Sequence, residues 1–201
     1  GAFLDYLEQE APAWDLIDCC NLPETSLTFT RLQELAQARG YQTRVEVEDV
    51  CPVLDLPSTW EEYLMTLDKK QRHEVRRKLR KAELEGKARF YIVESAAEIR
   101  SEMLDFIALH QKSTPEKDQF MDPQMQQFFL DAAQVLHERG WLQLAFMEMH
   151  GEKAASLLNF DYDNAILVYN SGYDPARFST LSPGIVIVAR CIEHAIALGR
   201  E

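Results

Sequence analysis

The sequence predicts a mixed α/β (α+β) fold, and three observations carry that prediction. Stretches with apolar residues at helical spacing alternate with short β-rich runs along the whole chain. Three of those runs, over 141–149, 154–162 and 165–172, follow one another through hairpin-type joints at His150-Gly151 and Asp163-Asn164. A helix then opens on Ser182-Pro183-Gly184 and is closed by Gly199. With 201 residues, 46% hydrophobic and 27% charged, the chain is large enough to bury its own core.

Each element has its own justification. Trp14 to Cys20 is a short apolar run that reads as a strand, followed by a loop through Asn21-Leu22-Pro23-Glu24-Thr25. Residues 26–39 read as a helix with Leu27, Leu32, Leu35 and Ala36 inward and Gly40 as its stop. Tyr41 to Val47 alternates like a half-buried strand, and Cys51 to Leu56 reads as another, ended by Pro57. Residues 1–57 therefore read strand-helix-strand. Thr59 caps a helix with Trp60, Tyr63, Leu64 and Leu67 at helical spacing. A basic helix follows and ends at Gly86, and Ala88 to Val93 is a strand. Over 97–112 the spacing puts Ile99, Met103, Phe106, Ile107 and His110 on one face. Ser113 to Met121 reads as a polar loop. Asp122-Pro123 opens a helix that runs to Gly140, with Met125, Phe128, Phe129, Ala132 and Leu136 inward. The three-strand meander comes next, then a loop over 173–181, then the last helix with Ser182 as its N-cap. Ile185, Val186, Ile187 and Val188 make the start of that helix apolar almost all round, so it expects cover on more than one side. A strand beyond residue 201 would supply that cover, and the fold reads as truncated at its C-terminus.

Charge and cysteines narrow the class. Lys and Arg number 21 against 33 Asp and Glu, a net charge of −12. Such a surface repels DNA and anionic membranes. The charge is uneven: residues 68–87 hold nine basic and four acidic residues, leaving 12 basic against 29 acidic, or −17, elsewhere. No apolar run approaches the roughly 18 residues of a membrane span, and the N-terminus has no signal-peptide pattern. Cys19, Cys20, Cys51 and Cys191 form no CxxC pair, which fits reduced thiols in a cytoplasmic protein. No HxxxH or paired carboxylates mark a metal site.

Several residue strings, in their order, resemble the GNAT-fold acyltransferases, the acyl-CoA N-acyltransferase superfamily. Within it they resemble the FemAB-like branch that includes the CelD-type acetyltransferase domains of cellulose biosynthesis. The strings are the basic helix from Arg72 to Lys81, Leu109-His110-Gln111, Gly140-Trp141-Leu142-Gln143-Leu144, Gly151-Glu152-Lys153-Ala154-Ala155, Tyr169-Asn170-Ser171-Gly172-Tyr173-Asp174-Pro175 and Ser182-Pro183-Gly184. The resemblance implies a mostly antiparallel sheet flanked by helices over 58–201, with 1–57 as the tail of a first GNAT-like half. It implies transfer of an acyl (acetyl) group from acetyl-CoA or another acyl-CoA to a small-molecule or peptide amine. The reaction would be direct attack in a ternary complex without a metal. Two alternatives stand beside it: FemAB-type aminoacyl transfer from a charged tRNA, and a non-catalytic GNAT-like interaction module. The chain departs from the family in offering a single glycine, Gly184, in the loop before the cofactor helix.

Four groups of residues are the candidate sites. A helix start presents free N–H groups and the positive end of the helix dipole, so Ser182, Gly184, Ile185 and Val186 could hold a pyrophosphate, with Gly184 leaving room for it. An ordinary capped helix has the same sequence. Asn170, Ser171 and Tyr173 end a strand whose backbone N–H, in the family, holds the thioester carbonyl; such a donor is worth on the order of 3 kcal/mol. A strand end with a Ser-Gly turn reads the same way. His110 suits a general base, having an unperturbed pKa of about 6.5, although a lone inward histidine also serves as a structural hydrogen bonder. Arg76, Arg77 and Arg80 share a helix face and could bind an anionic substrate or RNA, or simply be solvated. Cys191 reads as a buried small hydrophobe.

Overall fold

A computed structural model describes all 201 residues, which divide into two compact units, Gly1–Val53 and Leu54–Glu201. The first unit holds two helices, α1 (Ala2–Gln9) and α2 (Leu27–Ala38), and Leu4 is its one buried residue. Ser26 caps α2, its Oγ accepting from Thr28 N at 3.2 Å. Arg39 bridges Asp5 and Glu8, Tyr41 Oη donates to Glu8 at 3.0 Å, and the Trp14 ring packs at a tilt of 46° against Tyr41, 5.4 Å between centroids. The strands expected over 14–20, 41–47 and 51–56 are not formed. A strand persists only when its backbone groups find a ladder partner, and none of these runs pairs. Val45, Val47, Val50 and Val53 are exposed instead.

The second unit starts before residue 58, because Leu56 packs with Trp60, Tyr63 and Leu64. Helix α3 (Trp60–Thr66) is capped by Thr59, whose Oγ1 accepts from Glu62 N at 3.2 Å. Helix α4 (Lys69–Leu84) begins with a full capping box between Asp68 and Gln71. Strand β1 (Arg89–Ile92) and helix α5 (Ile99–Ser113) follow. The expected loop over 113–121 is largely a short helix, α6 (Pro115–Phe120), with Thr114 Oγ1 accepting from Lys117 N and Pro115 in its first turn. Six residues are too few to show a helical period in the sequence, but Thr-Pro is a helix-opening pair. Helix α7 (Pro123–Glu138) is capped by Asp122. Its buried residues are Phe129, Leu130 and Ala133, whereas Phe128, expected inward, is 59% exposed.

Strands β2 (Leu142–Met149), β3 (Glu152–Tyr162) and β4 (Ala165–Tyr173) complete an antiparallel sheet in the order β1-β2-β3-β4. His150 and the Asp163-Asn164 pair adopt positive φ, as tight hairpins require. Alternation along β2 and β3 splits the core in two. Leu144, Phe146 and Leu158 face α5 and α7, packing on Met103, Phe106 and Phe129. Ala145, Met147, Ala155 and Leu157 face α4 and α8 (Pro183–Ala197), packing on Ala82, Val186, Ile187 and Cys191. No helix is long and apolar enough to cross a membrane.

Candidate active site

Edge strand β4 is not a regular strand. Its register against β3 shifts between Leu158 and Asn159, leaving Tyr169 without a partner residue. A bulge of this kind bends the strand and re-aims the groups beside it. Three residues further on, α5 lies directly against β4: a Cβ added at Gly172 would stand 2.5 Å from His110 N and 2.7 Å from Leu109 C. Glycine is required there by the close approach of two backbones.

That contact brings the end of α5, α6 and the end of β4 together. Ser113 Oγ donates to Leu109 O and accepts from Tyr173 N, both at 2.9 Å. Lys117 Nζ donates to Ser171 O at 2.5 Å. Ser171 N donates to Asn170 Oδ1 at 2.9 Å. Asp174 closes the strand, its Oδ1 accepting from Ala176 N at 3.0 Å and Arg177 N at 3.2 Å. His110 sits beneath, 1% exposed, between Phe106 and Phe120 with ring centroids at 5.8 and 6.1 Å. Its Nδ1 is buried and has no hydrogen-bond partner. Burial pushes the imidazole pKa down and the Lys117 cation pushes it further, while Asn170, alongside the ring, opposes them. The ring is therefore held toward its neutral form. Burial lowers the Lys117 pKa as well.

The start of α8 lies across the sheet, on the face that packs against α4. Ser182 flanks it as expected, but in the left-handed region at φ 53°, and its side chain caps nothing. Its carbonyl accepts from both Ile185 N and Val186 N at 3.1 Å. The Ile185 and Val186 donors are thus engaged, and the Val186 side chain is core. Gly184 N–H keeps no acceptor, and nothing lies within 4 Å of a Cβ built on Gly184, so an anion can approach it. Ile185 and Val188, expected to be covered, remain 46% and 44% exposed.

The arginines of α4 are not gathered at this helix start. Arg76 pairs with Glu61 at 2.6 Å, and Arg77 forks onto Glu74, at 2.8 and 2.7 Å. The Arg77 hydrogen bond lowers the Glu74 pKa to about 2. Arg80 is exposed without a carboxylate partner. The cation brought to the start of α8 is Lys81, whose Nζ donates to Thr180 O at 3.1 Å. Lys81, Lys117 and Ser113 were not singled out from the sequence; the only signal was their place in the basic helix or near His110. Cys191 is buried, with a thiol pushed up to about 12 by burial, which suits no nucleophile. No group of three or more His, Cys, Asp or Glu residues could hold a metal ion.

An antiparallel sheet covered by α5 and α7 on one face and by α4 and α8 on the other, with a bulged edge strand, a buried imidazole on one face and an open helix start on the other, makes this a mixed α/β domain. A family model described as the acetyltransferase (GNAT) domain matches residues 69–201, well over half of the sequence, and the chain belongs to that family. GNAT domains transfer acyl groups and generally use acyl-CoA. No curated protein matches the chain.

Proposed function

We propose that this domain moves an acyl group from acetyl-CoA or another acyl-CoA to a small-molecule or peptide amine, by direct attack in a ternary complex. The observation that carries the reading is His110: a buried imidazole with an unpartnered Nδ1 beside a bulged edge strand. Leaving such a nitrogen unsatisfied costs about 1–3 kcal/mol, which a purely structural histidine would avoid by finding a partner. Held neutral, the ring is ready to take a proton.

Acyl-CoA supplies the thioester electrophile. The amine nitrogen bonds to the acyl carbon, the C–S bond breaks, the amine proton passes to His110, and the departing sulfur leaves as CoA thiol after protonation. Ser171 N–H is the oxyanion donor; Asn170 Oδ1 occupies it in the free chain and yields to the thioester oxygen. Lys117 and Ser113 position this strand end. Gly184 N–H and Lys81 hold the phosphates at the start of α8. The residue strings favour the FemAB-like, CelD-type branch, and the cysteine pattern favours a cytoplasmic setting. Aminoacyl transfer from tRNA is the weaker reading, because Arg76 and Arg77 are already paired with carboxylates.

Calorimetric titration with acetyl-CoA, against dephospho-CoA, tests the assignment. Gly184→Glu should abolish binding and leave the fold intact, since the position has open space and a carboxylate favours a helix start. Unchanged affinity would remove the phosphate site. His110→Gln should lower turnover by about 10²–10⁴-fold with CoA affinity retained.

A further inference from the structure

Helix α7 leaves a gap where the sequence led us to expect packing. Phe128, Phe129, Ala132 and Leu136 of α7 face Phe160 of β3 and Tyr169 of β4 across a cavity of about 140 Å³. No charged side chain lines it. The cavity opens to solvent between Phe128 and Tyr169, 59% and 53% exposed, and its apolar lining gives water nothing to bind. An apolar cavity of about 150 Å³ is enough to take up benzene.

Its position ties it to the candidate active site. Tyr169 is the unpaired residue of the β4 bulge, 53% exposed, and precedes Asn170. Its ring stands 5.4 Å from Phe160 and 6.1 Å from Phe129. Phe129 in turn stands 6.3 Å from Phe120, and Phe120 stands 6.1 Å from His110. The cavity and the imidazole therefore share one aromatic wall. Both lie on the α5/α7 face of the sheet, and the start of α8 lies on the other.

We infer that this cavity receives the apolar group of the amine acceptor, an aryl or branched aliphatic group about the size of a benzene ring; the inference rests on the acyl-transfer reading above. The lining offers nothing to a charged group, so the amine stays outside it, toward Asn170 and His110. Placement on the face of the proton acceptor, away from the phosphate site, assigns the cavity to the acceptor and not to the acyl chain. The chemistry is unchanged: the amine nitrogen forms the C–N bond, the thioester C–S bond breaks, and the amine proton goes to His110.

The test compares 2-phenylethylamine with ethylamine as acceptors, using the full chain with acetyl-CoA and with hexanoyl-CoA, and follows CoA thiol release. Saturation-transfer NMR of 2-phenylethylamine reads binding without turnover. Ala132→Phe fills the cavity, and Phe128→Ala removes an exposed wall with little risk to folding. The wild type should prefer the aryl amine by at least about tenfold in kcat/KM, since even one methylene in an apolar pocket counts for that much. Both variants should lower this ratio toward one and weaken the NMR signal. Transfer without an aryl preference, or a preference that neither variant changes, overturns the cavity assignment and leaves acyl transfer standing. A variant effect on hexanoyl-CoA in place of the aryl amine gives the cavity to the acyl chain and overturns it too. Aryl-amine binding that Ala132→Phe abolishes, with no transfer to any amine, sinks the catalytic reading and the acceptor assignment with it, and leaves an aryl-binding cavity. Neither binding nor transfer overturns both.

Discussion

His110 resists protonation in the folded chain, first because it is buried and then because Lys117 is a cation. Its folded pKa lies below the roughly 6.5 of an unfolded chain. The unfolded state therefore binds the proton more readily as pH falls. The stabilisation is complete above about pH 6.5 and is lost as pH drops toward the depressed folded value. Denaturant midpoints of the wild type should fall over that window, and those of His110→Gln should fall less. In activity the same shift places the acid limb of kcat/KM below pH 6.5. Lys117→Met removes the cation and should move that limb upward, whereas Lys117→Arg should hold it. Gly172 makes a different demand. A methyl group there meets backbone atoms of Leu109 and His110 that cannot step aside. Gly172→Ala should cost about 1–3 kcal/mol in denaturant unfolding, the usual range for overpacking. His110 was legible as a candidate from its place on an apolar stripe. The need for glycine opposite it was not, because the sequence does not say which backbones touch.

At the scale of elements, caps and periods were the readable part. Thr59 and Asp122 each cap the helix that follows them, as their positions in the sequence predict. Ser182 looks the same in sequence and behaves otherwise: with φ 53° it makes no side-chain cap. A left-handed backbone favours glycine. Ser182→Gly should therefore be neutral or stabilise by up to about 1 kcal/mol, while Asp122→Ala should cost about 1 kcal/mol. Equal losses in thermal unfolding would return Ser182 to the capping role. Helix α6 was hidden by its brevity, yet it carries Lys117 to Ser171 O. On α7 the stripe Phe128, Ala132 and Leu136 reads as core, but these residues line a cavity at the sheet edge. A helical period reports which residues share a face. It does not report whether the opposing layer reaches that face.

For the whole molecule, the hydrophobic core belongs to Leu54–Glu201, while Leu4 is the single buried residue of Gly1–Val53. A chain of residues 54–201 should unfold in one cooperative transition, with a denaturant slope that reports most of the buried surface. A broad, non-cooperative transition would mean that the core needs the first 53 residues. The sequence alone determined the element order from Thr59 onward, apart from α6, and the two hairpins, because local spacing and turn chemistry encode them. It also carried the GNAT family, which the match over 69–201 bears out. Only the tertiary structure decided that the strands expected before residue 57 do not pair. It decided too that β4 bulges at Tyr169, that Ile185 and Val186 have spent their N–H groups on Ser182, and that Lys81 reaches Thr180 O just ahead of the α8 start. The physical reason is common to all four. A backbone donor, a strand edge and a charge are each defined by the partner they meet, and those partners lie far along the chain or in a turn whose φ no side-chain pattern specifies.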